Sequence, residues 1–166
     1  MTDGVRVLFV CLGNICRSPT AEAATREALI AAGLDDRVEI DSAGIGAWHA
    51  GNRPDHRMRA AGRAVDLEID GAARQVTAAE LGGWDLIVAM DHDNVADLRA
   101  MAPPDLHDRI RLFRSFDPAA DGAQVPDPYY GGADGFTDVV QLCRAAAAGL
   151  VDELAAALTG GERGRR

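Results

Sequence analysis

Short, unbroken apolar runs alternate along the chain with longer mixed stretches rich in alanine. Val5–Val10 (V-R-V-L-F-V) is almost wholly apolar and β-branched, the pattern of a strand buried on both faces of a parallel sheet. Val38–Ser42 and Asp85–Ala89 (D-L-I-V-A) read as further strands, and Arg109–Phe113 (R-I-R-L-F) as a shorter last one. A first helix is expected from Ser18-Pro19, with the proline near its first position, to about Ala32, closed by Gly33. Pro54–Ala64, Asp93–Met101 and the Ala-rich Phe136–Leu158 read as helices. Thr77-Ala78-Ala79-Glu80 has the spacing of a capping box and opens a short helix that ends at Gly82-Gly83. Asp117–Gly135 is rich in Asp, Pro and Gly, a long loop of the kind that usually carries function.

Strands alternating with helices imply right-handed crossovers and a parallel sheet between helical layers, an α/β fold. A chain of 166 residues fits one domain, expected over residues 1–158, with the Gly- and Arg-rich residues 159–166 as a frayed tail. In such folds the site lies beyond the carboxyl ends of the strands, which selects Cys11 and the loops after Ser42 and Ala89. The net charge of −9 argues against nucleic-acid and anionic-membrane partners. An anionic substrate must therefore be drawn by a local site acting against the overall field. Val5–Val10 is too short for a membrane span. Three cysteines, Cys11, Cys16 and Cys143, make no disulfide framework and suggest a reducing, cytoplasmic setting.

A strand that ends in a glycine-bearing turn and enters a helix directs several backbone N–H groups into one concavity, backed by the helix dipole. The segment Cys11-Leu12-Gly13-Asn14-Ile15-Cys16-Arg17-Ser18 has this form. Cys11 at its base would feel those N–H groups and the Arg17 cation, which both favour thiolate. A thiolate at the bottom of a phosphate-shaped cup is a nucleophile aimed at phosphorus. Arg17 supplies a planar fork for two phosphoryl oxygens. Ser18 can donate to the thiolate and help it leave, and Asn14 tolerates a left-handed backbone. An isolated Cys and Arg at this spacing would more often be a buried cysteine and a surface arginine; the strand before and the helix after reverse that preference.

Phosphate-ester cleavage also needs a proton for the leaving oxygen. Asp127, in Pro126-Asp127-Pro128-Tyr129-Tyr130, is the candidate donor, with the flanking prolines restricting its backbone; taken alone, the segment would more often be an ordinary Asp-Pro turn. Tyr129 and Tyr130 could wall the entrance and stack on an aromatic substrate.

With these residues in view, the chain resembles the low-molecular-weight protein tyrosine phosphatases. The resemblance rests on Val10-Cys11…Arg17-Ser18, on Asp127-Pro128-Tyr129-Tyr130, and on Ser42-Ala43-Gly44, Ala73-Arg74-Gln75-Val76 and Met90-Asp91. It implies a three-layer sandwich with a four-stranded parallel sheet in the order 2-1-3-4, and hydrolysis of phosphotyrosine through a phosphocysteine intermediate without metal or cofactor. It implies Cys11 as nucleophile, Arg17 as phosphate clamp, Asp127 as general acid, and Asn14 and Ser42 as supports of the loop. Trp48 and His49 fall in a variable loop beside the mouth, where they either influence substrate choice or anchor that loop onto the core. Cys16 resembles a second loop cysteine able to capture a peroxide-oxidised Cys11 as a disulfide, or else is a small packing residue. Many members carry a histidine just before the Ala-Arg-Gln stretch; here Asp70-Gly71-Ala72-Ala73 stands there. The partner is then a phosphotyrosine protein or a small aryl phosphate, and the chain a monomer or weak self-associator.

Arsenate reduction is an alternative on the same fold, but needs additional cysteines to relay a disulfide, and only Cys143 remains. Protein-arginine dephosphorylation is another; relatives with that preference carry threonine where Ile15 stands. A non-catalytic phosphate-binding module would require neither Cys11 nor Asp127. The four histidines are scattered, expected to face solvent, and build no metal site with the cysteines.

Overall fold

The computed structural model describes residues 4–120 and 123–163. Four strands, β1 (Val5–Cys11), β2 (Val38–Gly44), β3 (Leu86–Ala89) and β4 (Ile110–Leu112), form one sheet in the order β2-β1-β3-β4. All three pairings are parallel, with Cys11 opposite Gly44 and Val10 opposite both Ala43 and Ala89. Expected fold and strand order are thus both observed. Among the described residues the α-helices are α1 (Arg17–Ala31), α2 (His56–Arg63), α3 (His92–Met101) and α4 (Ala133–Arg163).

The apolar run of β1 divides by side-chain alternation. Val7, Phe9 and Cys11 point into one core with α1, α2 and α4, whereas Leu8 and Val10 point into a second with Leu81, Trp84, Leu98 and Leu106. Val7 to Val10 are wholly buried, so beyond the exposed Arg6 near its start β1 has no solvent face. Phe9 meets Phe113 edge-on, ring centroids 5.4 Å apart.

Several element boundaries differ from the sequence expectation. The first helix begins at Arg17, with Cys16 as its N-cap, so Pro19 occupies the third helical position. A proline is tolerated there because first-turn N–H groups have no intrahelical acceptor. Gly33 takes a φ of +72° just past the helix, as a closing glycine does. The Thr77–Glu80 capping box forms in full, but the segment it opens, Ala78–Gly83, is a 3₁₀ helix. Further 3₁₀ turns flank β4 at Pro104–Arg109 and Phe113–Phe116. The final helix starts at Ala133 instead of Phe136 and continues to Arg163, into the stretch expected as a tail; residues 164–166 lie outside the described residues. Among the described residues, no helix is long and apolar enough to cross a membrane.

Candidate active site

At Cys11 the chain leaves β1 at the carboxyl edge of the sheet, and residues 12–16 wrap back into α1. The turn depends on Asn14, whose φ is +59°, in the left-handed region that Asn enters more readily than most residues. This turn brings the Asn14 N–H to 3.3 Å from Cys11 Sγ. Ser18 Oγ lies 3.0 Å from the same sulfur. Asn14 Nδ2 donates to Ser18 Oγ at 2.8 Å and to Ser42 Oγ at 3.1 Å. Its Oδ1 accepts the Arg74 N–H at 3.0 Å. Backbone bonds hold the rim of the cup: Ile45 N to Cys11 O, Gly46 N to Leu12 O and Asp55 N to Ile15 O.

Arg17 is almost fully buried, yet its guanidinium meets acceptors on Asp91, Val125 and Asp127. It donates to Asp91 Oδ2 at 2.6 Å and to the Val125 carbonyl at 3.1 Å, and Nη2 lies 3.5 Å from Asp127 Oδ2. Burial alone would lower its pKa, but the neighbouring Cys11, Asp91 and Asp127 outweigh that and raise it. Asp91 is itself fixed as the N-cap of α3, accepting from Asn94 N.

Asp127 arrives on the long loop because Val125, wholly buried, is tied on both sides: its N–H to the Met90 carbonyl and its carbonyl to Arg17. This anchor, beyond the flanking prolines, holds the segment over the cup. The Asp127 carboxyl is 41% exposed, and its Oδ1 accepts the Tyr129 N–H at 3.1 Å. A cavity of about 440 Å³ opens above the sulfur, lined by Cys11, Leu12, Gly13, Ile15, Cys16, Arg17 and Asp127, with Trp48, His49, Tyr129 and Tyr130 at its mouth. The Cys11 thiol, the Arg17 cation and the Asp127 carboxyl therefore share one apolar-walled space. Among the described residues, no three His, Cys, Asp or Glu side chains gather as a metal site.

Residues 6–159 match the family model of the low molecular weight phosphotyrosine protein phosphatases. The chain belongs to this family. Its low-molecular-weight phosphatase relatives include a protein-tyrosine-phosphatase of Streptomyces coelicolor, 46% identical over 149 residues, covering 88% of this chain and 91% of the relative. Among solved structures, the Entamoeba histolytica protein tyrosine phosphatase with Hepes in its active site superposes with a TM-score of 0.88 at 35% identity, covering 98% and 100% of the two chains. YfkJ of Bacillus subtilis superposes at 0.84 with 41% identity, covering 91% and 94%.

The phosphatase fold brings together every site residue expected from the sequence. Trp48 is 70% and Tyr130 95% exposed. The Trp48 ring packs closely on Gly46, where a Cβ would lie 1.8 Å from a ring carbon. His49 is half-buried at the rim, its ring 6.1 Å from that of Tyr129. His107 is half-buried too, its Nε2 3.0 Å from the carbonyls of Arg99 and Ala102. The expectation of solvent-facing histidines holds only for His56 and His92. Cys16 and Cys143 are free and buried. Burial, and for Cys16 the nearby Asp55 next, pushes both thiols far up.

At the position before Ala-Arg-Gln, Gly71 has a φ of +118° with open space where a Cβ would stand, a conformation that side-chain-bearing residues avoid. Support for the cup comes instead from Arg74. Its N–H holds Asn14, and its guanidinium spans Asp41 on β2 and Glu80. Arg74 and Asp91 both lie in stretches that carried the family resemblance, but neither had an assigned role. Their roles depend on contacts 60 and 74 positions away, which no local pattern reveals.

Proposed function

We propose that this chain hydrolyses phosphotyrosine, in proteins or small aryl phosphate monoesters, through a phosphocysteine on Cys11. The observation that carries this reading is the placement of Cys11 Sγ under the Asn14 N–H and Ser18 Oγ, with Arg17 and Asp127 in the same cavity. In the first step the sulfur attacks phosphorus, the S–P bond forms and the P–O bond to the aryl group breaks. Asp127 gives its proton to the departing oxygen. In the second step water attacks phosphorus, the Asp127 carboxylate takes its proton, and the S–P bond breaks. Hydrogen bonding from Ser18 stabilises the sulfur as it leaves as thiolate, and inorganic phosphate is released. Arg17 offsets the charge on the equatorial oxygens throughout.

The aromatic rim suits a flat aryl leaving group, and Ile15 presents an apolar wall. Arsenate reduction is disfavoured because Cys143 is wholly buried in α4 and offers no outward relay. Peroxide would oxidise the Cys11 thiolate to the sulfenic acid, releasing hydroxide, and condensation with the Cys16 thiol, five positions along the same cup, would form the disulfide and release water. The three free thiols fit a cytoplasmic protein.

Stopped-flow mixing with p-nitrophenyl phosphate tests the two-step route. A burst near one equivalent of nitrophenol is expected when hydrolysis of the phosphoenzyme is the slower step. Cys11→Ser should abolish turnover, and Asp127→Ala should slow poor leaving groups by roughly a hundredfold or more, far beyond its effect on p-nitrophenyl phosphate. Turnover retained by Cys11→Ser would reject the mechanism.

A further inference from the structure

The side chain of Arg57, in the first turn of α2, has an unusually complete set of partners for a surface arginine. Asp55, the N-cap of that helix, receives the Arg57 N–H at 2.8 Å and its guanidinium through Nε at 3.1 Å and Nη2 at 2.9 Å. Both carboxylate oxygens are thereby engaged, a fork-to-fork pair of fixed orientation. This hydrogen-bonded fork holds the Asp55 carboxyl below the ordinary carboxylate range, against the opposing effect of its partial burial. The backbone N–H of Asp55 is bonded to the Ile15 carbonyl, inside the cup.

The opposite end of this arrangement reaches the acid-bearing loop. The guanidinium carbon lies 5.2 Å from the centroid of the Tyr129 ring and 4.7 Å from that of Phe136, within cation–π range of both. Tyr129 in turn gives its N–H to Asp127 Oδ1. The contacts run without a break from the cup at Ile15 through Asp55, Arg57 and Tyr129 to the carboxyl of Asp127. Upstream of Asp127 the loop is pinned at Val125; downstream it is held through the Tyr129 ring, against Arg57 and, at longer range, His49.

We propose that Arg57, oriented by Asp55, is a positioning residue that locks the Asp127 segment over the phosphate cup. The inference rests on Asp127 as proton donor in the proposed function. Arg57 does not line the cavity above the sulfur, and its stacking on Tyr129 leads to Asp127, so its main effect is on the placement of the acid. Its replacement should then matter most where the leaving oxygen depends most on that proton. A lysine cannot substitute, because the two-point fork and the flat stacking surface both require a planar group.

The test compares Arg57→Ala and Arg57→Lys with Arg63→Ala, an exposed arginine on the same helix that lies 3.8 Å from Glu68. For phenyl phosphate, kcat/KM is expected to fall roughly tenfold in both Arg57 variants, and for p-nitrophenyl phosphate no more than about twofold. Amide hydrogen exchange across residues 126–130 should quicken in both Arg57 variants and match wild type in Arg63→Ala. Arg57→Lys keeps a cation beside Asp55 and carries the test if the alanine variant is unstable. An equal loss at every leaving group, or unchanged exchange in that loop, overturns the proposal. Quickened exchange in a protein whose wild type turns over no aryl phosphate would reject the proposed function and leave the anchor standing.

Discussion

Asn14 combines two requirements that a single substitution normally mixes. Its backbone is left-handed at φ +59°, and its buried amide bridges Ser18, Ser42 and Arg74. Asn14→Gly keeps the first and loses the second; Asn14→Ala loses both. Urea unfolding should therefore find Asn14→Ala less stable than Asn14→Gly by about 1 kcal/mol, the cost of a left-handed β-carbon. Equal stabilities would mean that the turn relaxes without that conformation. The residue type alone made a left-handed turn expected at this position. The partners of its amide were another matter, since the Arg74 N–H comes from 60 positions downstream.

At the scale of elements, the unit that makes the site is β1, the cup and α1, and all of it is contiguous. Its geometry still depends on the neighbouring strand. β2 runs on to Gly44, beyond its expected end at Ser42, because Gly44 pairs with Cys11 and bridges to Gln75 on its other side. A Cβ on Gly44 would lie 3.0 Å from Leu12 O, Gly13 C and Asn14 N, all backbone atoms of the cup. Backbone yields less readily than a side-chain tip, so Gly44→Ala should cost about 1–3 kcal/mol of stability. It should also weaken inhibition by inorganic phosphate, because the N–H groups that line the cup are displaced. Phosphate inhibition constants beside thermal unfolding will show whether the two losses occur together. The acid loop illustrates the opposite case. Its length marked it as functional, yet its path was decided by Val125 reaching Met90 and Arg17, contacts that follow from the sheet and not from the loop's own sequence.

The molecule as a whole is acidic, and its site sits among carboxylates held in place by arginines. Glu80 is the clearest: burial would raise its pKa, but hydrogen bonds from Arg74, the Thr77 N–H, Trp84 and the Thr77 hydroxyl hold it down to about 2. A carboxylate lowered in the folded state stabilises fully above its unfolded pKa and loses that contribution as pH falls through the folded value. For Glu80 the window runs from 4.5 down to about 2. Urea midpoints for wild type should fall more steeply across that window than those of Glu80→Gln, and the two should converge at its lower end. Parallel curves would show that the Arg74 bridge from β2 to the capping box adds nothing to the acid sensitivity.

What the sequence by itself determined is whatever neighbouring residues settle among themselves. That includes an apolar strand from Val7 on, a cysteine at its end, a turn that Asn14 can make, the capping box at Thr77–Glu80, and a proline-flanked aspartate in a long loop. Residue type and short spacing suffice there, because each feature is stabilised by atoms within one turn or one strand. The tertiary structure alone decided that Asp91 grips Arg17, that Arg74 rather than a histidine carries the cup, and that Asp55 and Arg57 reach the acid loop. These depend on which strands lie side by side and in what register. That register is set by burying both faces of β1 at once, a condition that only the folded chain can meet.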